Sequence, residues 1–445
     1  MMDKDQALIE ALQRALTPVL GAAVTVRELR SLSMGASKEI CSFVATTPAG
    51  VSRSLVLRRD PPADPHPQRM ACEAALLQAA RQVDVPVPEV LAHGDGTDGI
   101  GSPYLIMECL SGETIPRKIL RDPQWAGVRA VLARRLGEIA ARIHRIPPDT
   151  APTLDRSDQM AFWLEEYQRY GPPSPTFELA LQWLEAHRPP PRTPVLVHGD
   201  FRLGNLMLGP EDVAGVLDWE LAHLGDPLSD LGWVCVTAWR FGSPLPVAGV
   251  GEISELIDGY RQVSGWAPTP EEIHWWIVFG IFRWGTICRR QAARHLSGRN
   301  NALELAAIGR RFAENEHDLL VEMGYVSSTG DEDIHPEAAE PDGLLGLPDA
   351  VTLLTALRHM LDRRGGYEDK VAGRVVDNIC REISLGPSIR AQVNQRLRDA
   401  GVEDEQQLVE WIRQHPGQLN DKIRAAVCAG VQARLHIWNP RYLSS

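Results

Sequence analysis

The stretch VLVHGDFRLGNLMLGPEDVAGVLDWELAHLGDPLSDLGW, from Val195 to Trp233, places acidic side chains at intervals between apolar runs that read as short buried strands. A carboxylate in an apolar setting is costly unless a proton, a metal or a cationic partner compensates it. Read as strand, loop and hairpin, Val195 to Val197 leads in, His198 to Asn205 forms the loop, and LMLG and AGVLDW make the two sides of the hairpin. Asp200 and Asn205 then stand at opposite ends of one loop, and Asp218 arrives from the adjacent strand end. Such oxygen donors suit a hard cation such as Mg²⁺ far better than zinc. A Mg²⁺ held by few protein oxygens takes its remaining ligands from substrate phosphates, which points to phosphoryl transfer.

Outward from this segment the pattern changes twice. Between Val24 and Arg59, VTVREL, EICSFVAT and VSRSLVLRR alternate as two or three antiparallel strands joined by tight turns. A helical run around Met70 to Arg81 carries Glu73, and VPVPEVLAHG and SPYLIMECL add two β-rich segments, so this part reads as a small α+β lobe. After Leu110 the chain is mostly helical, apart from the segment quoted above. Residues 326–342 have no apolar periodicity and are rich in acids, Pro, Ser and Gly, which predicts a linker. Residues 343–445 then read as a small all-α accessory domain, opening with the stripe Ala350, Leu353, Leu354, Leu357 and Leu361. A domain of that size can fold alone, so a chain ending near residue 330 is expected to stay soluble if the interface is small.

At 445 residues the chain is too long for one core. Its hydrophobic content of 44% and charged content of 23% are those of an ordinary globular protein. The net charge of −12 argues against a nucleic-acid surface. Residues 343–445 hold 14 Lys and Arg against 12 Asp and Glu, so the acidity belongs to the first 342 residues. Seven cysteines are scattered with no CxxC pair, as expected of reduced thiols in a cytoplasmic protein. The N-terminal MMDKDQALIEALQRAL is an amphipathic helix without a signal-peptide core, and no run of eighteen apolar residues follows, so no membrane association is expected.

HGDFRLGN followed by VLDWE is similar to the signature of the aminoglycoside phosphotransferase-type kinases, a branch of the protein-kinase-like fold. The resemblance covers about residues 25–325. It implies an α+β, protein-kinase-like two-lobe fold followed by the small all-α domain. Residues 1–109 would form the N-terminal nucleotide-binding lobe, and 110–325 the helical C-terminal lobe with the catalytic loop and substrate site. It further implies ATP or GTP as phosphoryl donor, Mg²⁺ as cofactor and a small-molecule hydroxyl as acceptor. On this pattern Asp200 resembles the catalytic base, with Arg202 beside it in the catalytic loop, and Asn205 and Asp218 resemble the metal ligands. Gly35 and Ser37 in SMGAS match the phosphate-covering turn, and Arg58 stands where the family carries a strand Lys or Arg for the phosphates. Glu73 matches the helix partner of that cation, while Glu108 to Leu110 match the hinge whose backbone holds adenine. Two departures stand out: the turn has a single Gly, and Arg58 is bulkier than Lys but can bridge two phosphate oxygens as a planar fork.

LVLRRDPP with VLDWELAHLGDPLSDLGW is most similar to the subgroup of this family fused or linked to acyl-CoA dehydrogenases. That kinship implies a hydroxyacyl-CoA acceptor and an acyl-CoA dehydrogenase-related partner. The C-terminal part resembles a domain of unknown function that accompanies such phosphotransferases. An aminoglycoside or other small alcohol is the alternative acceptor, and a non-catalytic nucleotide-binding scaffold is the alternative to an enzyme. A metal-dependent hydrolase lacks an HxH or HExxH partner. Among the remaining polar residues, His198 reads as a brace for the loop, and Asp226 and Asp230 as a helix cap and an acceptor for loop amides. Glu220 is open between a neighbour of the metal ligands and a surface residue. Arg283, Arg290 and Arg294 share one helix face, either solvated or an anion site for a phosphorylated or CoA-like group.

Overall fold

The computed structural model describes residues 2–34, 38–151, 153–326, 334–339 and 348–444. Along the chain run α1 (Met2–Leu20), β1 (Thr25–Met34), β2 (Glu39–Thr46), β3 (Ser52–Arg59), α2 (Pro67–Gln82), β4 (Val90–Gly94), β5 (Tyr104–Glu108), α3 (Pro116–Arg121) and α4 (Ala126–Ile143). Next come α5 (Gln159–Arg169), α6 (Pro175–Ala186), β6 (Val195–Val197), β7 (Leu206–Leu208), β8 (Val213–Val216), β9 (His223–Gly225), α7 (Leu228–Trp233), α8 (Ile253–Ser264) and α9 (Pro270–Leu296). The remainder is helical: α10 (Leu303–Arg310), α11 (Phe312–Glu322), α12 (Ala350–Arg364), α13 (Tyr367–Asp399), α14 (Glu405–Gln414) and α15 (Asp421–Trp438). No helix among the described residues is long and apolar enough to cross a membrane.

The contacts divide the chain into two compact units, Met1–Ser157 with Pro191–Ile273, and Asp158–Pro190 with His274–Ser445. These do not coincide with the boundaries expected at 109/110 and 325/326. The first unit contains the five-stranded antiparallel sheet, in the order β1-β2-β3-β5-β4. Strand alternation assigns its two faces. Leu55 and Leu57 of β3 join Phe43 and Ala45 of β2 in a core closed by Leu12 and Leu16 of α1. Val56 and Arg58 therefore point to the opposite face, where Arg58 reaches Glu73 of α2. Below the sheet in the chain order, α4 packs on α8 so closely that a Cβ on Gly137 would lie 2.0 Å from the Leu256 carbonyl oxygen. The expected hairpin is present, with β7 pairing β8 from Leu206↔Val216 to Leu208↔Val213, while β6 pairs β9.

The second unit explains why the expected boundary near 325 does not separate two bodies. α14 packs on α6 and α15 packs on α11, so helices from both sides of that boundary share one interior. The contact is built on charge: Arg434 of α15 bonds Glu316 of α11 at 2.7 Å, Arg413 of α14 bonds Glu178 of α6 at 2.8 Å, and the Tyr442 hydroxyl donates to Asp318 at 2.8 Å. Within 326–342, where a linker was expected, residues 334–339 are docked. Ile334 is 1% exposed in a cluster with Ile389, Ala429 and Ile437, and the His335 backbone exchanges hydrogen bonds with the Gln392 side chain. The α12 stripe behaves differently from its sequence pattern. No α12 residue is buried, and Leu353 and Leu357 remain exposed, because α12 meets α13 through Arg358, which bonds Asp377 at 3.1 Å.

Candidate active site

The first unit assembles the site from the loop after β6. Gly199 has φ of 78°, and a Cβ there would lie 2.2 Å from the Leu221 carbonyl oxygen, so only glycine lets the chain turn here. His198 is buried and braces the turn, as its position suggested. Its Nδ1 accepts the Asp200 N–H at 3.2 Å and its Nε2 lies 3.0 Å from the Leu217 carbonyl oxygen, which places the ring proton on Nε2. Asp230 of α7 is 1% exposed and accepts the His198 and Gly199 backbone N–H groups at 2.8 and 2.9 Å. Its carboxylate also lies 3.3 Å from Nε2 of His144, whose Nδ1 is 3.0 Å from the Tyr260 hydroxyl. Burial works to raise the Asp230 pKa, but the His144 contact and the loop amides outweigh it and hold the carboxyl below its usual range. Asp226 caps α7 by accepting the Leu228 N–H at 2.9 Å.

Asp200 stands at the end of this braced loop. Its Oδ1 accepts the Trp233 indole N–H at 2.8 Å, and Arg202 Nε spans both oxygens at 3.0 and 3.1 Å. Asn205 Nδ2 donates to Oδ2 at 2.6 Å and to the Asp200 carbonyl at 3.0 Å. Arg202 also lies 4.7 Å over the Trp239 ring. The Asn205 carbonyl accepts the Leu217 N–H at 2.8 Å, which ties the loop to the residue before Asp218. Asp218 has φ of 65°, a left-handed conformation that non-glycine residues seldom adopt and that costs on the order of 1–3 kcal/mol.

Arg58 links Asp218 to the sheet. Its guanidinium bonds Glu73 and reaches Asp218 Oδ1 at 3.3 Å and Glu220 Oε2 at 3.9 Å. Burial disfavours the arginine's charge, yet Glu73, Asp218 and Glu220 together hold its pKa above the ordinary value. Glu220 is part of this group rather than an isolated surface residue: burial first, and Asp218 second, push its pKa up. Lys38, which sequence reading did not single out, pairs with Asp60 at 3.4 Å, and its charge favours ionised Glu220. The signal was the register. Glu39↔Arg59 and Ile40↔Arg58 are partners, which sets Lys38 opposite Asp60 on the Arg58 face.

Asp200, Arg202 and Asn205 thus form one cluster and Arg58, Glu73 and Asp218 a second, joined through the Asn205–Leu217 backbone bond. Glu108 lies at the end of β5 opposite Leu55, three positions along the ladder from the Arg58↔Leu105 pair. The Cys109 N–H bonds the Ser54 carbonyl at 3.0 Å, and a Cβ added at Gly215 would meet Leu110 Cδ1 at 2.4 Å, so Leu110 lies against β8. Gly35 and Ser37 lie outside the described residues. In the second unit, Arg283 is 7% exposed over Trp163, and Arg290 pairs with Glu166 at 3.5 Å, while Arg294 bonds Gln291. The arginine face is therefore not uniformly solvated.

A short α+β sheet, a braced HGD loop and an Asp after a hairpin define a phosphotransferase of the kinase-like fold. The chain belongs to the Phosphotransferase enzyme family, whose model matches residues 28–276. Residues 359–442 match a Domain of unknown function (DUF6285). Among curated proteins the chain is similar to acyl-CoA dehydrogenase family member 10 of Mus musculus, 30% identical over 304 residues, which are 61% of this chain and 28% of that protein. It is also similar to acyl-CoA dehydrogenase family member 11 of Homo sapiens, 26% identical over 303 residues, 60% of this chain and 38% of that protein. The match thus spans well under half of these relatives. The fold is shared with a Ralstonia eutropha protein provisionally assigned as an aminoglycoside phosphotransferase, with a TM-score of 0.55 and 23% identity, covering 72% of this chain and 98% of that one.

Proposed function

We propose that this protein is a small-molecule kinase that transfers the γ-phosphoryl group of ATP to the hydroxyl of a hydroxyacyl-CoA, with Mg²⁺ as cofactor. The observation that carries this reading is the Asp200 carboxylate, held by donors on both oxygens beside an Asn205 whose amide nitrogen is already committed to it. That commitment leaves the Asn205 Oδ1, which accepts no hydrogen bond among the described residues, as an oxygen donor. Asp218, with its side chain 41% exposed, offers a charged oxygen next to it in the chain path. Asn205 and Asp218 fit a hard divalent ion, which when bound would neutralise charge on the transferred phosphoryl group.

Asp200 accepts a hydrogen bond from the acceptor hydroxyl and orients its oxygen for attack; positioned groups of this kind contribute about 10²–10⁴-fold. Arg202 is placed to meet negative charge developing beside Asp200. Arg58, held by Glu73, would contact the nucleotide phosphates, and the backbone from Glu108 to Leu110 would receive adenine. The acyl-CoA part of the proposal is supported by the names of the relatives, which also suggest an acyl-CoA dehydrogenase-related partner.

The test is direct. The purified chain is titrated with ATP with and without Mg²⁺, then incubated with radiolabelled MgATP and a panel of hydroxyacyl-CoAs, simple alcohols and aminoglycosides. Label on a hydroxyacyl-CoA is expected. Label on an aminoglycoside instead would reassign the acceptor, and nucleotide binding without transfer to any hydroxyl would favour a scaffold.

A further inference from the structure

We propose that Trp233 is a positioning residue for phosphoryl transfer, acting through its indole N–H on Asp200; this rests on the reading of Asp200 as the group that receives the acceptor hydroxyl. Trp233 is the last residue of α7, three positions after Asp230. Residues three apart share one side of a helix. The short helix therefore holds the loop twice, with Asp230 accepting the His198 and Gly199 amides and Trp233 donating to the carboxylate of the next residue, Asp200.

A carboxylate has about four lone-pair positions. Among the described residues, three side-chain N–H donors occupy those of Asp200: Trp233 on Oδ1 at 2.8 Å, Asn205 on Oδ2 at 2.6 Å, and Arg202 Nε shared between the oxygens. Three donors against about four positions confine an incoming hydroxyl to a narrow range of directions. The terminal carboxylate torsion is broad and roughly two-fold, so it is not set by rotamer preference and must be set by partners. Asn205 and Arg202 lie on the same loop as Asp200. Trp233 comes from α7 and is fixed by burial at 3% exposure against the Trp239 ring, 5.4 Å away. It is the partner that references the carboxylate to the helix rather than to the loop.

Without the indole N–H, Oδ1 gains an open acceptor position and the carboxylate can turn, so the acceptor oxygen is no longer confined to a narrow range of directions. Trp233→Phe removes the donor and keeps an aromatic ring in the buried site. With MgATP alone as the probe and water standing in as acceptor, single-turnover hydrolysis is expected to fall about tenfold or more. The MgATP Kd should stay within about twofold, because the indole bonds Asp200, which is assigned to the acceptor rather than to the nucleotide. In an Asp200→Asn background the same substitution should have little further effect, since the two act as one unit. An equal loss in both backgrounds would mean that Trp233 acts through packing alone, and unchanged turnover in the single variant would also overturn the proposal. A readout independent of turnover uses ¹⁵N-labelled tryptophan: the indole signal lost in Trp233→Phe should shift in Asp200→Asn. A signal that does not move overturns the contact even if the chain hydrolyses ATP. If the wild type binds no nucleotide while the signal does shift, the kinase reading fails and the contact stands.

Discussion

At the scale of single residues, the two clusters divide the work on the proposed reading and should then fail in different ways. Asp200→Asn should reduce transfer by about 10²–10⁴-fold with nucleotide affinity nearly unchanged, because on the proposed reading the side chain receives the acceptor hydroxyl rather than the nucleotide. Rapid-quench kinetics beside calorimetric titration would show this split. Asp218→Ala should abolish the Mg²⁺ dependence of nucleotide binding, with Asn205→Ala milder, since a neutral carbonyl oxygen is the weaker ligand. Equal ATP affinity with and without Mg²⁺ in the wild type would contradict it. Asp200, Asn205 and Asp218 were legible because their spacing is local: the loop and hairpin that unite them span fewer than twenty-five residues. Trp233 was not, since its role depends on where α7 packs. Lys38 was hidden by register, which a single strand does not reveal. Glu314, Glu316 and Asp318 carry no local sign of being interior; partners from distant segments, among them Arg434, Asn439 and Tyr442, meet them there.

At the scale of elements, the second unit is held by charge as much as by apolar surface. Glu316, 1% exposed, accepts both the Ser174 hydroxyl at 2.7 Å and the Arg434 guanidinium. Arg434 keeps 36% of its side chain exposed, so removing Glu316 leaves it only partly uncompensated, at a cost of about 1–3 kcal/mol. Glu316→Ala is expected in that range by urea unfolding, discounted toward the lower end because Glu405 also contacts Arg434 at 2.8 Å. α9 and α11 supply a milder, pH-dependent contact, His274 Nε2 to Glu322 Oε2 at 3.1 Å. The bond to Glu322 raises the His274 pKa above its ordinary value despite partial burial. A group whose folded-state pKa is raised stabilises the fold fully below its unfolded pKa, about 6.5, and loses that contribution as pH rises through the folded value. The melting-temperature gap between wild type and His274→Gln should therefore be widest below about pH 6 and close in mildly alkaline buffer. A gap that widens with pH would show that another group governs this contact.

At the scale of the whole molecule, the helices after residue 343 are structural partners of segments far earlier in the chain. A chain cut near residue 330 would leave Glu178 without Arg413, Glu316 without Arg434 and Asp318 without Tyr442. It is expected to lose cooperative unfolding of the second unit and to aggregate, against the simpler expectation of a detachable all-α domain; light scattering with calorimetry of the shortened chain decides. The helical character of this region and its sheet-bearing neighbour were both readable from periodicity, but the pairing of α6 with α14 was not, because hydrophobic pattern records that a face is buried and not against what. That pairing has a consequence for synthesis. Glu178 and Arg413 are 235 residues apart, and at roughly 5–20 residues per second the arginine leaves the ribosome on the order of 10–50 s after its partner. During that interval Tyr167 and then α11 can already meet α6, but the Glu178 carboxylate still waits for its arginine. The α6–α14 contact is thus among the last to close during synthesis, and a premature stop before α14 is expected to leave the second unit incomplete.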